Sequence, residues 1–408
     1  MVIVRPFQGL RPTKELAEKV AAPPYDVLNS NEAREMAVGN PNSFLHVNKP
    51  EIDLPESVDV YDNIVYAKGA ENLKRFISFG IMKQDKCPSF YFYRQVMDHH
   101  SQVGLVATVS ADDYEAGLIK KHEFTRPEKE NDRVNHIMAL NAQVGPVFLT
   151  YPDVNEINCI QAEVCTSSPE YDFVSKDDVR HTLWLVGEDH ARKIEKIFQS
   201  VPNLYVADGH HRSAAGTIVA RQRRDHNPAH DGTEEYNFFL AVIFPKSHMK
   251  IMAYNRVVMD LNRLRKEEFL QLVGDNFVVK PHGKPHPQAV HHFSMYLEGM
   301  WYDLEPKSYP ENDPVKSIDA SILQDNLLSP ILGIDDPRTN NRIKFVGGIR
   351  GAAELEKLVN SGKYQVAFSL FPVTLDQLFA VADSGNVMPP KSTWFEPKLR
   401  SGLLVHLI

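Results

Sequence analysis

The chain has 408 residues, of which 43% are hydrophobic and 24% charged, enough to bury a sizeable core in two or three packed regions. A formal net charge of -8 argues against a protein that coats nucleic acid or anionic membrane, while leaving room for a local basic pocket. Cys87, Cys159 and Cys165 form no CxxC pair and no even disulfide set, no stretch approaches the ~18 apolar residues of a bilayer span, and residues 1–10 hold Arg5, Pro6, Gln8 and Gly9 instead of an apolar leader; these features point to the cytoplasm.

In chain order, residues 2–4 read as a short strand and 14–20 as a turn or two of helix. Pro23-Pro24 then forces an extended path into Tyr25-Asp26-Val27. Residues 31–37 predict a helix capped by Asn29, Ser30 or Asn31. Between 58 and 79, Ile64, Ala67, Leu73, Phe76 and Ile77 recur at near-helical spacing, and Gly80 ends the run. Residues 90–93 and 102–109 read as strands around a polar turn at 98–101, 146–151 and 182–186 as further strands, and 191–199 as a helix. A short buried strand at 204–207 leads through 208–212 into a helical run at 213–223. Residues 238–244 form a strongly apolar strand, 246–248 a boundary, 252–258 the next strand, and 281–287, with Gly283 and Pro285, a surface loop. No repeat is visible, and the pattern predicts a mixed α+β protein without regular βαβ alternation. The expected domains are a core over 1–247 and a C-terminal α+β region over 248–408, whose segment 388–398 returns to the site.

Asp208-Gly209-His210-His211-Arg212 carries the strongest chemical signal. It falls where a buried strand turns into a helix, and Gly209 permits a tight turn with close backbone approach to a ligand. A helix start offers N–H groups without intrahelical partners and a positive dipole end, which together suit an anion. His210, His211 and Arg212 add donors, arginine's planar fork matches phosphate, and Asp208 supplies the carboxylate that a metal or a substrate hydroxyl needs. A simple helix cap is the plain alternative, but five such residues after an apolar strand exceed what a cap requires. His210 and His211 alone make a poor metal site, because neighbours on a helix point in different directions.

Two further segments carry chemistry-bearing residues. Residues 122–133 (His-Glu-Phe-Thr-Arg-Pro-Glu-Lys-Glu-Asn-Asp-Arg) place His122, Glu123 and Thr125 before Pro127, with Lys129 and Arg133 on a helix after it; read by themselves they are also compatible with a solvated charged turn. Residues 388–398 contain three prolines, which fix an extended path and present Lys391, Ser392, Thr393 and Lys398 as a phosphate would require, with Trp394 and Phe395 available to the core. Arg5, Arg11, Tyr25 and Asp26 flank the Pro23-Pro24 turn. No P-loop, GxGxxG or GxSxG motif is present, so P-loop, Rossmann and serine-hydrolase readings lack their motifs.

The strand followed by Ala207-Asp208-Gly209-His210-His211-Arg212-Ser213-Ala214-Ala215 resembles the signature of the ParB/sulfiredoxin superfamily, in which a Gly-x-x-Arg turn at a helix start holds nucleotide phosphates. The whole chain resembles the bacterial domain of unknown function 1015 family. The similarity runs through the opening Arg-Pro-Phe, the Ala-Pro-Pro-Tyr-Asp turn, the His-Glu-x-Thr segment at 122–125 and the closing Pro-Pro-Lys-Ser-Thr-x-Phe-x-Pro-Lys. Members with an Asp-Gly-His-His-Arg turn resemble free L-serine kinases, which make O-phosphoserine from serine and a nucleotide. A sulfiredoxin would need a cysteine near Gly209, and a ParB protein a basic helix-turn-helix; this sequence shows neither.

The resemblance implies a ParB/sulfiredoxin-like mixed-sheet core with large insertions and a Mg²⁺-assisted phosphotransferase acting on free serine or a similar small hydroxyl compound, with ATP, ADP or pyrophosphate as donor. Gly209, His210 and Arg212 would hold phosphate, joined by Lys129, Arg133, Lys391, Ser392, Thr393 and Lys398. Asp208 would orient the hydroxyl or serve as its base, with Glu123 the other candidate base and His211 beside them. Arg5, Tyr25, Asp26, His122 and Thr125 would face the substrate. The partners expected are thus a small molecule and a nucleotide, with nucleic acid and membrane disfavoured and a homo-oligomer left open. A nucleotide-binding or DNA-partitioning module without turnover is the alternative, and an inert ligand-stabilised scaffold a third.

Overall fold

Strands buried at every position belong inside a sheet covered on both faces. Val147–Tyr151 and Phe238–Pro245 are of that kind. The computed structural model describes residues 1–408 and sets both strands in one mixed sheet of nine. In chain order these are β1 (Val4–Arg5), β2 (Tyr91–Met97), β3 (His100–Ser110), β4 (Ile119–Lys120), β5 (Val147–Tyr151), β6 (Tyr171–Val174), β7 (Arg180–Leu185), β8 (Leu204–Asp208) and β9 (Phe238–Pro245). Their spatial order is β4-β8-β5-β9-β3-β2-β7-β6, with β1 paired to β3. β9 runs parallel to β5, and β8 parallel to β4; the remaining pairs are antiparallel. A core of Leu105, Leu149, Val206, Ile243, Ile194 and Phe198 packs the sheet against its helices.

The chain divides into two compact units, Met1–Met249 with Pro397–Ile408, and Lys250–Glu396. In the first unit five helices matter for the site: α1 (Ser30–Ala37), α2 (Leu45–Asn48), α3 (Asn63–Ser78), α4 (Pro127–Leu140) and α5 (His210–Asp225). Asn29 caps α1 and closes a capping box with Glu32. α3 begins at Asn63, five residues later than the apolar spacing suggests, because the Asp62 side chain accepts the Ile64 N–H and sets the helix start there. Pro127 opens α4, and Asn141 at φ 54° closes it. α5 starts at His210 and not at Ser213, with Gly209 as its N-cap.

The second unit is built on an antiparallel sheet: β10 (Tyr254–Val258), β11 (Phe277–Pro281), β12 (Phe293–Leu297), β13 (Met300–Pro306), β14 (Ile343–Gly347) and β15 (Val366–Leu370), in the order β11-β13-β12-β15-β10-β14. Alternate residues of β15 serve opposite faces: Val366, Phe368 and Leu370 join one core, and Ala367 joins another with Leu355 and Val359. The segment 388–398 is extended at Trp394–Phe395, which pairs with Ile251–Met252. Phe395 is buried and Trp394 half-buried. No helix of either unit is long and apolar enough to cross a membrane.

Candidate active site

The site begins where β8 ends. Four buried residues bring the chain to Asp208, and Gly209 turns it at φ 98°, a conformation that costs an L side chain. A Cβ on Gly209 would lie 3.1 Å from Arg212 Cζ and Nε, so glycine also lets the guanidinium fold back under the turn. The first intrahelical bond of α5 is Ser213 N–H to Gly209 C=O, which leaves the N–H groups of residues 210–212 pointing out of the helix end.

Arg212 is 92% buried by its relative exposure of 8% and is held from several sides. Its Nη1 donates to the Pro146 carbonyl, and its Nη2 donates to Asp208 Oδ2 at 3.1 Å and lies 3.6 Å from Asp26 Oδ2. Burial opposes the charge, but Asp26 and Asp208 outweigh it and keep Arg212 protonated. Asp208 has a second cation, Lys398 Nζ, at 3.5 Å. Burial alone would raise the Asp208 carboxyl; Lys398 and Arg212 outweigh burial and hold it well below the usual carboxylate range. A carboxylate so stabilised is a weak base, so the geometry favours an orienting and anchoring role for Asp208 over proton abstraction.

The two histidines of the motif clasp the distant 122–126 segment to the start of α5. The His122 backbone N–H donates to His210 Nε2 at 3.5 Å, and the two rings meet edge to face at 4.5 Å. The Arg126 backbone N–H donates to His211 Nε2 at 3.1 Å. Since each Nε2 accepts, Nδ1 carries the proton in each neutral ring. His210 Nδ1 then faces Glu123 Oε2 at 3.9 Å. Burial drives His210 well below its ordinary pKa and His122 down to about 4, and burial also lowers His211. All three are therefore neutral at pH 7, fasteners of the loop that presents Glu123, whose side chain is 45% exposed. Thr125 is bonded to Glu130, within the same loop and the first turn of α4.

The other expected site residues divide into those the structure gathers here and those it ties elsewhere. Tyr25 and Asp26 sit on a 3-10 turn directly after Pro23-Pro24; Tyr25 lies under Arg133, whose Cζ is 3.9 Å from the ring centre, and burial pushes its hydroxyl up to about 12. Arg133 is itself paired to Asp132 at 2.7 Å, and Lys129 reaches the Tyr61 hydroxyl at 2.5 Å, so neither is an uncommitted cation. Arg5 pairs with Glu235 at 3.2 Å and stacks on Phe238, and Glu235 also meets His406. Arg11 likewise joins Asp85 and Glu170. Of the 388–398 segment, Lys398 belongs to the first unit and meets Asp208, while Lys391, Ser392 and Thr393 belong to the second. There Lys391 Nζ lies 5.5 Å from the Tyr254 ring centre, and Ser392 donates to the Pro389 carbonyl at 2.7 Å.

Residues the sequence did not single out complete the surroundings. Asp132 anchors Arg133 and accepts from Tyr66, His136 bonds the Val47 carbonyl at 2.9 Å, and the Pro146 carbonyl takes an Arg212 N–H. The one available signal was Asp132-Arg133 at the end of the charged run; a backbone carbonyl has no signature. No three His, Cys, Asp or Glu side chains are grouped to hold a metal by themselves.

A strand–glycine–helix turn with a clamped Arg–Asp–Lys set and a carboxylate loop fastened over it is the centre of this α+β protein. The family described as protein of unknown function DUF1015 matches residues 4–321, and the chain belongs to that family. No curated protein matches it in sequence. Solved structures similar to it include a free serine kinase variant in complex with AMP, 11% identical with a TM-score of 0.36, over 71% of this chain and 87% of that chain. They also include SbnI with C-terminal truncation from Staphylococcus aureus, 11% identical with a TM-score of 0.40, over 74% of this chain and 87% of the other. A third is a conserved hypothetical protein from Pyrococcus furiosus, 11% identical with a TM-score of 0.34, over 71% and 90%. At these scores the likenesses assign neither ligand nor activity to this chain.

Proposed function

We propose that the protein is a phosphotransferase that moves a phosphoryl group from a phosphate donor, with ATP as first candidate and ADP or pyrophosphate as others, to the hydroxyl of free L-serine or a similarly small alcohol. One observation carries the reading: carboxylates from three distant segments, Asp26, Glu123 and Asp208, close on a single helix-start turn with Arg212 and Lys398. A pure phosphate binder needs Asp208 and Asp26 only as anchors for its cations and does not need the exposed Glu123. An enzyme that aligns a hydroxyl beside bound phosphates does. Serine enters as acceptor through the resemblance of the Asp-Gly-His-His-Arg turn.

In this reading the N–H groups of residues 210–212 and Lys398 receive the donor's phosphates. Asp208 keeps Arg212 and Lys398 in place, and Glu123, on the loop that His210 fastens through the His122 N–H, takes the hydroxyl proton. The serine Oγ–P bond forms as the donor's bridging P–O bond breaks, and the shortened nucleotide, or phosphate where pyrophosphate is the donor, leaves with that oxygen. Asp26 and Asp208, which both lie beside Arg212 Nη2, are the carboxylates that would hold a Mg²⁺. When bound, that ion neutralises phosphate charge.

The test incubates the full chain with serine, Mg²⁺ and each donor in turn, and follows O-phosphoserine by phosphorus NMR. Formation of phosphoserine with at least one donor is expected. Tight nucleotide binding with no transfer to serine or other small alcohols would mean a binding module instead.

A further inference from the structure

Beneath the Arg212 guanidinium lies a cavity of about 30 Å³, lined among others by Tyr25, Asn48, Arg133, His136, Gly145 and Arg212. Asn48 ends the short helix α2 and is 2% exposed, yet neither its Nδ2 nor its Oδ1 has a hydrogen-bond partner in the chain. Arg212 commits Nη1 to Pro146 and Nη2 to Asp208, but its buried Nε also has none. Each such group left unmet costs about 1–3 kcal/mol, and a leucine would fill the place of Asn48 without that penalty. The cavity exceeds the roughly 10–15 Å³ that one water needs and falls far short of the ~150 Å³ that admits a benzene-sized molecule. Its charges are already balanced: Arg212 by Asp26 and Asp208, Arg133 by Asp132, while burial pushes His136 down to about 3 and so leaves it neutral. The fitting occupant is small, uncharged, and both donor and acceptor.

We propose that this cavity is a built water site, in which one or two ordered waters accept from Arg212 Nε–H and Asn48 Nδ2–H and donate to Asn48 Oδ1. Asn48 is then a positioning residue for Arg212 and, through it, for Asp208 and Asp26. A role in filling space and a role in holding water give opposite orders for two variants. Asn48→Leu keeps the branched shape and fills the cavity with its bulkier methyl groups, evicting the water, whereas Asn48→Ala leaves room for a further water to serve Arg212 Nε. If Asn48 only packs, Leu is the milder change, since Ala opens a void. If it holds water on Arg212, Ala is the milder.

The experiment melts both variants of the full chain and solves the wild-type crystal structure at high resolution. Asn48→Ala is expected to melt at least about 3 °C above Asn48→Leu, with ordered density between Asn48 and Arg212 Nε in the wild type. The reverse melting order, or a dry cavity, overturns the proposal; the density decides if Asn48→Leu does not fold. A second readout rests on the proposed function: the Tm rise given by Mg²⁺-pyrophosphate is retained in Asn48→Ala and lost in Asn48→Leu. A wild-type protein that ignores pyrophosphate and nucleotides counts against the phosphotransfer reading, while melting order and density still decide the water site.

Discussion

Asp208 holds two cations, Arg212 at 3.1 Å and Lys398 at 3.5 Å, and Asp208→Asn removes the charge while keeping the shape and an acceptor oxygen. At an effective dielectric constant of about 20, each pair at such separations is worth roughly 5 kcal/mol of Coulomb energy before desolvation is subtracted. What survives is smaller: breaking a buried pair from one side costs about 3–5 kcal/mol. The Asp208 side chain is 28% exposed, Asp26 remains 3.6 Å from the same Arg212 nitrogen, and Asn still accepts a hydrogen bond, so the low end applies, about 3 kcal/mol. In a unit of this size that corresponds to a fall of roughly 6–12 °C in Tm. Thermal and urea unfolding of the full chain measure it, and the Tm rise given by Mg²⁺-pyrophosphate should shrink in the same variant as Arg212 and Lys398 lose their anchor. A variant within about 1 °C of wild type, responding normally to pyrophosphate, would refute the clamp.

Glu123→Gln should cut phosphoserine formation by at least ~100-fold while leaving Tm and the nucleotide-induced shift nearly unchanged; an equal loss of binding and turnover would make Glu123 an anchor and not a base. Gly209→Ala should cost about 1–2 kcal/mol for the left-handed backbone alone and weaken the pyrophosphate response by pressing on Arg212, 3.1 Å from the added carbon; a normal response would show that the guanidinium does not need that space. Burial holds His122 at about 4, His136 at about 3 and His181 at about 3, all below the unfolded value of 6.5. Between pH 6.5 and about 4 the unfolded chain therefore binds protons that the folded chain does not, so stability falls as pH falls through that window, by up to about 1.4 kcal/mol per pH unit for each histidine. Melting curves from pH 7 to 4.5 should show this, with a shallower slope in His136→Gln; an unchanged slope would mean that His136 is protonated in the folded chain.

The strand, turn and helix around Asp208 were legible because every local signal agreed: an apolar run, a glycine, then polar residues at a helix start. For α1 the sequence offered Asn29, Ser30 or Asn31 as the cap, and Asn29 is the one that takes the place. Sheet order was not. β8 lies between β4 and β5, and nothing in an alternating apolar pattern says which distant strand will pair with it. The motif histidines show the same limit: side-chain type suggested phosphate contacts, while the partners found are the backbone N–H groups of His122 and Arg126, which every non-proline residue carries. Arg5 was singled out by type and proximity to a proline turn, and its charge is met by Glu235 instead. Asn48 gave no sign at all, since one polar residue in a short helix reads as surface until its burial is seen.

Pro397–Ile408 completes the first unit only after all of Lys250–Glu396 has intervened in the chain. A ribosome therefore finishes every other element of that unit before Lys398 can meet Asp208, Arg400 can meet Asp177, and Ser401 and Val405 can bond Ala22 and Leu10. Until then Asp208 has only Arg212 of its two cations and Asp177 lacks Arg400, so the nascent unit is electrostatically unfinished where the candidate chemistry sits. A product cut short by premature termination or by C-terminal proteolysis stays in that state, its turn and helix made but its lysine missing. The order of segments along the message thus makes codons that follow the whole second unit a condition for a complete site.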